Sequence, residues 1–184
     1  MRNQQLKFLI LDSLFAIIIA ILAQVAIPIG PIPFTGQTFA IGLAATILGA
    51  KHGTISVFVY IMLGIIGIPV FQGMTAGIGI LIGITGGYII GFLANTFITG
   101  YILDKTRYTT GIAITANIIG ALFTLLFGMI WLKIGAGMSL TKSFYIGFLP
   151  FLIPGIIKAA LAGIFGIMIR NRLVKSRLLS EKKL

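Results

Sequence analysis

Apolar runs long enough to cross a lipid bilayer recur from one end of this chain to the other. About 20 apolar residues span the hydrocarbon core as a helix. Six segments near that length can be drawn, at about 8–27, 37–50, 54–70, 85–103, 109–132 and 144–169. In lipid, backbone polar groups must find partners within the protein, which forces such segments into helices. The chain is therefore expected to be an all-α integral membrane protein. Its expected form is a six-transmembrane-helix bundle filling one membrane domain, 1–184, with a basic tail at 170–184. Composition agrees: 58% of the residues are hydrophobic and only 9% are charged, against about 25% charged in soluble domains.

What is scarce excludes several functions. Cysteine is absent, which removes disulfides, thiolate metal sites and cysteine nucleophiles. One histidine, His52, and three acidic residues leave almost no material for a metal centre or an acid–base pair. No enzyme activity, no metal and no cofactor are expected. A net charge of +11 raises the question of nucleic acid, but the basic residues lie in short turns and at the two ends. That pattern belongs to membrane topology, and no nucleic-acid partner is expected. The first segment carries Asp12 and runs into prolines without a small-residue cleavage motif. It is expected to be a span rather than a removable signal.

Charge placement orients the bundle. With both termini in the cytoplasm, that side holds Arg2, Lys7, Lys51, Lys105, Arg107, Arg170, Arg172, Lys175, Arg177, Lys182 and Lys183. The outer side holds Lys133 and Lys142 alone. Eleven against two fits the positive-inside rule. Two irregular stretches then face outward: the Pro-rich Pro28 to Gly36 and the Gly-rich Phe71 to Gly87. Irregular backbone at membrane depth survives only where it is buried in protein or lines a cavity. The second stretch is apolar apart from Gln72, Thr75 and Thr85, so it suits a lid better than a solvated loop. A pocket in the outer half, covered by two loops, is the expectation.

One residue indicates what the pocket holds. Lys158 stands alone in the run Phe148 to Ile169, which carries no other charge. A charge at mid-membrane costs about 2.5–3.5 kcal/mol on insertion scales. Snorkelling is the ordinary escape. The next basic residue, Arg170, is however about 16–18 Å further along a helix. Lys158 is therefore expected to bind an anionic group near the pocket floor. Gln37 and Gln24, beside the first loop, suit a urea- or amide-like ligand, and equally suit backbone groups freed by the prolines. Thr85, Gly86, Gly87 and Tyr88 offer a hydroxyl, backbone amides and a ring, without the lysine and spacing of a phosphate loop. Ala16 and Ala20, one turn apart, allow close helix contact either with a partner or within the bundle. Trp131 reads as an interfacial anchor or a pocket wall, and His52 as a surface residue.

These residues also resemble a known family. The run Ile29-Gly-Pro-Ile-Pro-Phe-Thr-Gly-Gln-Thr38 is similar to the first loop of the BioY family, the biotin-binding S components of energy-coupling-factor (ECF) transporters. The resemblance continues through Leu48 to Ser56, and through Tyr60-Ile-Met-Leu-Gly-Ile-Ile-Gly-Ile-Pro-Val-Phe71 with the glycines after it. It ends at Trp131-Leu132 and Phe148-Leu-Pro-Phe-Leu-Ile-Pro-Gly-Ile-Ile-Lys-Ala-Ala160. Two positions depart from the family pattern: Ile84 stands where a proline is usual, and Gly155 where an aspartate is usual.

The resemblance implies the ECF S-component fold in a bacterial cell membrane. It implies biotin as the transported ligand, a transmembrane coupling protein and two cytoplasmic ATPases as partners, and Ala16 and Ala20 as the coupling-protein contact. Biotin's carboxylate would meet Lys158. Its ureido ring would meet Gln37, Thr85 and loop backbone around Gly73 and Gly86. Its apolar parts would lie against Phe34, Phe71, Tyr88 and Trp131. Related readings are an S component for a biotin precursor or another vitamin, and a solitary biotin carrier.

Overall fold

The computed structural model describes residues 2–28 and 30–179. Ile29 of the Pro-rich motif, Lys182 and Lys183 of the basic tail, and the Arg2 side chain lie outside what is described. Among the described residues, seven helices carry the fold: α1 (Arg2–Gln24), α2 (Gln37–Ile65), α3 (Ile78–Ile82), α4 (Gly86–Lys105), α5 (Thr110–Ile134), α6 (Leu140–Gly147) and α7 (Leu149–Lys175). A two-residue hairpin, β1 (Ala26–Ile27) with β2 (Phe34–Thr35), closes the Pro-rich loop in antiparallel register, Ala26 opposite Thr35. Five of the helices, α1, α2, α4, α5 and α7, are long and apolar enough to cross a membrane, which makes this a multi-pass membrane protein.

Helix α2 is broken at Gly49 and changes direction there. Gly49 has φ +80° and ψ −174°, outside helical space. Beyond it the chain turns back, and the Gly53 backbone lies against Ala44 and Ala45. The Gln37 amide donates to the Tyr60 hydroxyl at 2.7 Å. On a straight helix those residues would stand about 35 Å apart. A reversal frees backbone groups, and two side chains take them up with a third bracing them. Asp104 accepts from the Ala50 N–H at 2.9 Å, and the Arg170 guanidinium donates to the Ile47 carbonyl. Tyr108 donates to Asp104 at 2.7 Å, with Arg170 stacked 3.6 Å from its ring centroid. Burial pushes the Tyr108 phenol upward; Arg170 opposes the rise and Asp104 adds to it, so the phenol stays a donor.

The sequence places the turn at Lys51-His52-Gly53; the structure puts the break at Gly49 because glycine tolerates positive φ at little cost. The expected span 144–169 is also divided. Phe148 separates α6 from α7, and Pro150 occupies the first turn of α7, where a missing N–H is harmless. Helix α1 ends at Gln24 rather than near residue 27, because Ala26 and Ile27 pair with β2.

Packing runs from α1 to α2, from α2 to α4 and α7, from α4 to α5, and from α5 to α7. Polar side chains tie the interior. Asn95 donates to Thr124 at 3.1 Å, joining α4 to α5, and Asn117 donates to Thr46 at 2.8 Å, joining α5 to α2. Such interhelical bonds contribute on the order of 0.6 kcal/mol each in lipid. The N-terminal half-turns of α1, the α2 reversal, the α4–α5 turn and the end of α7 share one end of the bundle. There Lys7 reaches the Arg177 carbonyl at 3.0 Å. There too His52 pairs with Asp12 at 2.9 Å and stacks on Phe8. His52, expected as a plain surface residue, is thus held between two α1 side chains because the reversal folds it against that helix.

Candidate functional site

At the opposite end lies a cavity of about 210 Å³. Its walls come from the Pro-rich loop (Ile32, Phe34, Thr35), the start of α2 (Gln37, Thr38) and the segment between α2 and α4 (Phe71, Gln72, Thr75, Ile80, Thr85). Tyr88, Ile89 and Phe92 of α4, Ala121, Thr124 and Leu125 of α5, and Phe151, Gly155 and Lys158 of α7 complete it. Helices supply the deep walls and the two irregular stretches supply the cover. This is a mostly apolar enclosure with a few directed polar groups, the usual form of a small-molecule site.

Lys158 is its cation. The amine does not stand on the floor, as the sequence suggests; it turns to the first loop, donating to the Thr35 carbonyl at 2.8 Å and lying 3.7 Å from the Phe34 ring centroid. Both contacts place the charge beside the cover, where a ligand anion would meet it. A cation over an aromatic face is stabilised by about 0.5–2 kcal/mol, less than desolvation of an ammonium costs, so an anionic partner is favoured.

Gln37 lines the cavity but is largely committed. Its Nε2 donates to Tyr60, and its Oε1 accepts from the Thr35 hydroxyl at 2.7 Å. Tyr88 likewise donates to the Gly147 carbonyl at 2.7 Å and contributes its ring edge. Thr38 differs. Its hydroxyl is buried and, among the described residues, has no hydrogen-bond partner. A buried unsatisfied hydroxyl costs about 1–3 kcal/mol, so a polar ligand atom is the natural complement. The sequence reading missed Thr38 and Thr124; the available signal was a hydroxyl within an otherwise apolar span.

The structure brings Lys158, Gln37, Phe34, Phe71, Thr85 and Tyr88 around one cavity and leaves three expected residues outside its lining. Gly73 is exposed at the tip of the cover. Gly86 is buried against the Leu81 carbonyl, and its N–H is spent on Gly83 at 3.0 Å. Trp131 donates its indole N–H to the Gly83 carbonyl at 3.0 Å and packs on Gly87, so it pins the segment before α4. Ala16 and Ala20 lie on the inward side of α1. Ala16 is 1% exposed and sits in the protein's own core with Ile19, and Ala20 packs against that core. Both small side chains allow close packing of α1 within the bundle.

A multi-pass helical membrane protein with an enclosed cavity, one cation and two covering segments is a small-molecule-binding membrane protein. Comparison makes that class specific. The BioY family profile matches residues 1–175. The chain is 43% identical over 167 residues to "Biotin transporter BioY2" of Lactococcus lactis subsp. cremoris, covering 91% of this chain and 92% of that protein. It is 32% identical over 167 residues to "Biotin transporter BioY" of Thermotoga maritima, covering 90% and 97%. A crystal structure of the S-component for biotin from an ECF-type ABC transporter superposes with a TM-score of 0.85 at 32% identity, covering 93% of this chain and 94% of that one. The chain belongs to the BioY family.

Proposed function

We propose that this chain is the biotin-binding, membrane-embedded S component of an ECF-type vitamin uptake transporter. The observation that carries the reading is Lys158: one ammonium, deep in an apolar helix, facing a covered cavity. Biotin has one carboxylate to match it, a cyclic urea for Thr38 and Thr85, and an apolar ring and chain for Phe34, Phe71, Tyr88 and Phe151. The named functions of the relatives support the same ligand. The chain acts by capture and carriage, without covalent chemistry.

In this reading α2 counts as two spans because it doubles back at Gly49. With α1, α4, α5 and α7 it makes six, in a single membrane domain. Both termini then lie in the cytoplasm, where most of the basic residues belong by the positive-inside rule. The cavity opens outward, toward its substrate. ATP hydrolysis falls to two partner ATPases, reached through a transmembrane coupling protein.

The test is calorimetric titration of biotin into purified protein, wild type beside Lys158→Ala. Tight binding by the wild type with a loss of about 100-fold or more in the variant is expected, as for truncating one partner of a buried charge pair. Unchanged affinity in the variant sinks the assignment of the carboxylate. Gly155 motivates a second reading. A side chain built there meets nothing within 4 Å, so the cavity is open where the family's usual aspartate would stand. A wild type that ignores biotin but binds a biotin precursor or another vitamin would favour that reading.

A further inference from the structure

The amide of Gln24 leaves its own helix. Its Nε2 donates to the Ala20 carbonyl at 3.1 Å and, across 47 positions of sequence, to the Phe71 carbonyl at 3.0 Å. Its Oε1 accepts from the Met74 N–H at 2.9 Å. A glutamine that served only its own helix end would need neither long-range bond. Between those two attachments the cover closes on itself, with the Phe71 N–H donating to the Thr75 carbonyl at 3.0 Å. Among the described residues, the other hydrogen bonds of residues 70–75 run within residues 68–75. Gln24 is the one side chain that hydrogen-bonds residues 70–75 to the helical body, and the stretch is next tied down where the Gly77 N–H donates to the Gly64 carbonyl at 2.7 Å.

What it fastens is a cavity wall. The Phe71 ring is 1% exposed, meets Tyr60 edge-on with centroids 5.6 Å apart, and lies against Gly64, where no side chain would fit. The second cover shares the anchor. Gly36, at the far side of the Pro-rich loop, donates its N–H to the Val25 carbonyl at 2.9 Å, one residue after Gln24. That loop carries Phe34 and Thr35, the two contacts of Lys158. Helix α1 packs on α2 and touches β2, and has no comparable contact with α4, α5 or α7. Both covers end on α1.

We propose that Gln24 is a positioning residue that latches the Phe71–Thr75 cover to α1, so that movement of α1 releases both covers together and sets how long a ligand stays in the cavity. The residence-time part rests on the biotin-binding reading above; the latch does not.

Hydrogen–deuterium exchange without ligand tests the latch on full-length wild type, Gln24→Ala and Gln24→Glu. The expected result is exchange raised about 10-fold or more over residues 70–77 in Gln24→Ala, the scale of losing two hydrogen bonds, with α4 and α5 unchanged. Gln24→Glu, which keeps an acceptor for Met74 and loses the donor to Phe71, should fall between. Unchanged exchange over 70–77, or a rise spread equally over α4 and α5, overturns the proposal. Dissociation of labelled biotin tests the consequence. Release should quicken about 10-fold in Gln24→Ala, by the same loss of bonds. Equal release rates would overturn the link to residence time. A wild type that binds no biotin, together with raised exchange over 70–77, would leave the latch standing and remove the biotin reading.

Discussion

The two ends of the bundle use their buried basic residues in opposite ways. At the end with the termini, charge is consumed in closing a backbone reversal: Arg170 takes the Ile47 carbonyl, Asp104 takes the Ala50 N–H, and Tyr108 joins the two. At the cavity end, capacity is left over. The Thr38 hydroxyl has no partner among the described residues, and Lys158 holds a single loop carbonyl. A buried charge with every neighbour arranged around it supports the fold. A buried polar group facing a cavity supports a ligand, and its cost to the protein is returned on binding.

The sharpest way to break this comparison is to remove one cation from each end. Arg170→Met should lower stability by about 3 kcal/mol, the scale for uncoupling a buried charge network, and show as a marked fall in melting temperature. Lys158→Met should leave the melting temperature near that of the wild type while biotin binding collapses. Equal effects of the two on melting would erase the distinction. Next in size is Gly64→Leu. Its side chain would enter the space of the Phe71 ring, an overpacking cost of about 1–3 kcal/mol. The damage should appear as lost ligand affinity with α4 and α5 intact by hydrogen exchange.

Gly49→Ala probes the closed end. The position has φ +80°, and an added Cβ would stand 2.9 Å from the Tyr108 hydroxyl. A loss of about 1–2 kcal/mol is expected from the left-handed backbone alone, read in the thermal midpoint, with ligand affinity spared. Thr38→Val is the smallest and the most discriminating change. Removing an unsatisfied hydroxyl at constant shape should raise stability by up to about 1 kcal/mol and weaken biotin binding by a similar amount. A variant both less stable and equally tight would show that Thr38 serves the fold.

Much of the architecture was legible before folding because lipid leaves few choices. The apolar runs gave a bundle of membrane-length helices, and prolines at 28, 31 and 33 gave the first cover. The lone Lys158 pointed to a cation in a pocket wall, and it lines the cavity. Legibility failed wherever a group's partner lay far away in sequence. Trp131 read first as an interfacial anchor and then as a pocket wall, and its indole instead reaches the Gly83 carbonyl. Gln24 was ambiguous between ligand and backbone, and it bonds to the backbone of a segment 46 to 50 positions on. Ala16 carried a small-residue pattern that fits an inner or an outer face, and only helix packing assigned it inward.

Sequence by itself determined the solvent, the helical class and the family, because hydropathy and backbone satisfaction in lipid are local constraints that each segment meets alone. Tertiary structure decided the rest. It set the direction of α2 after Gly49, divided the polar side chains between scaffold and cavity, and left Thr38 unspent. Those outcomes depend on which groups approach within hydrogen-bond distance, and that is fixed only when the helices pack.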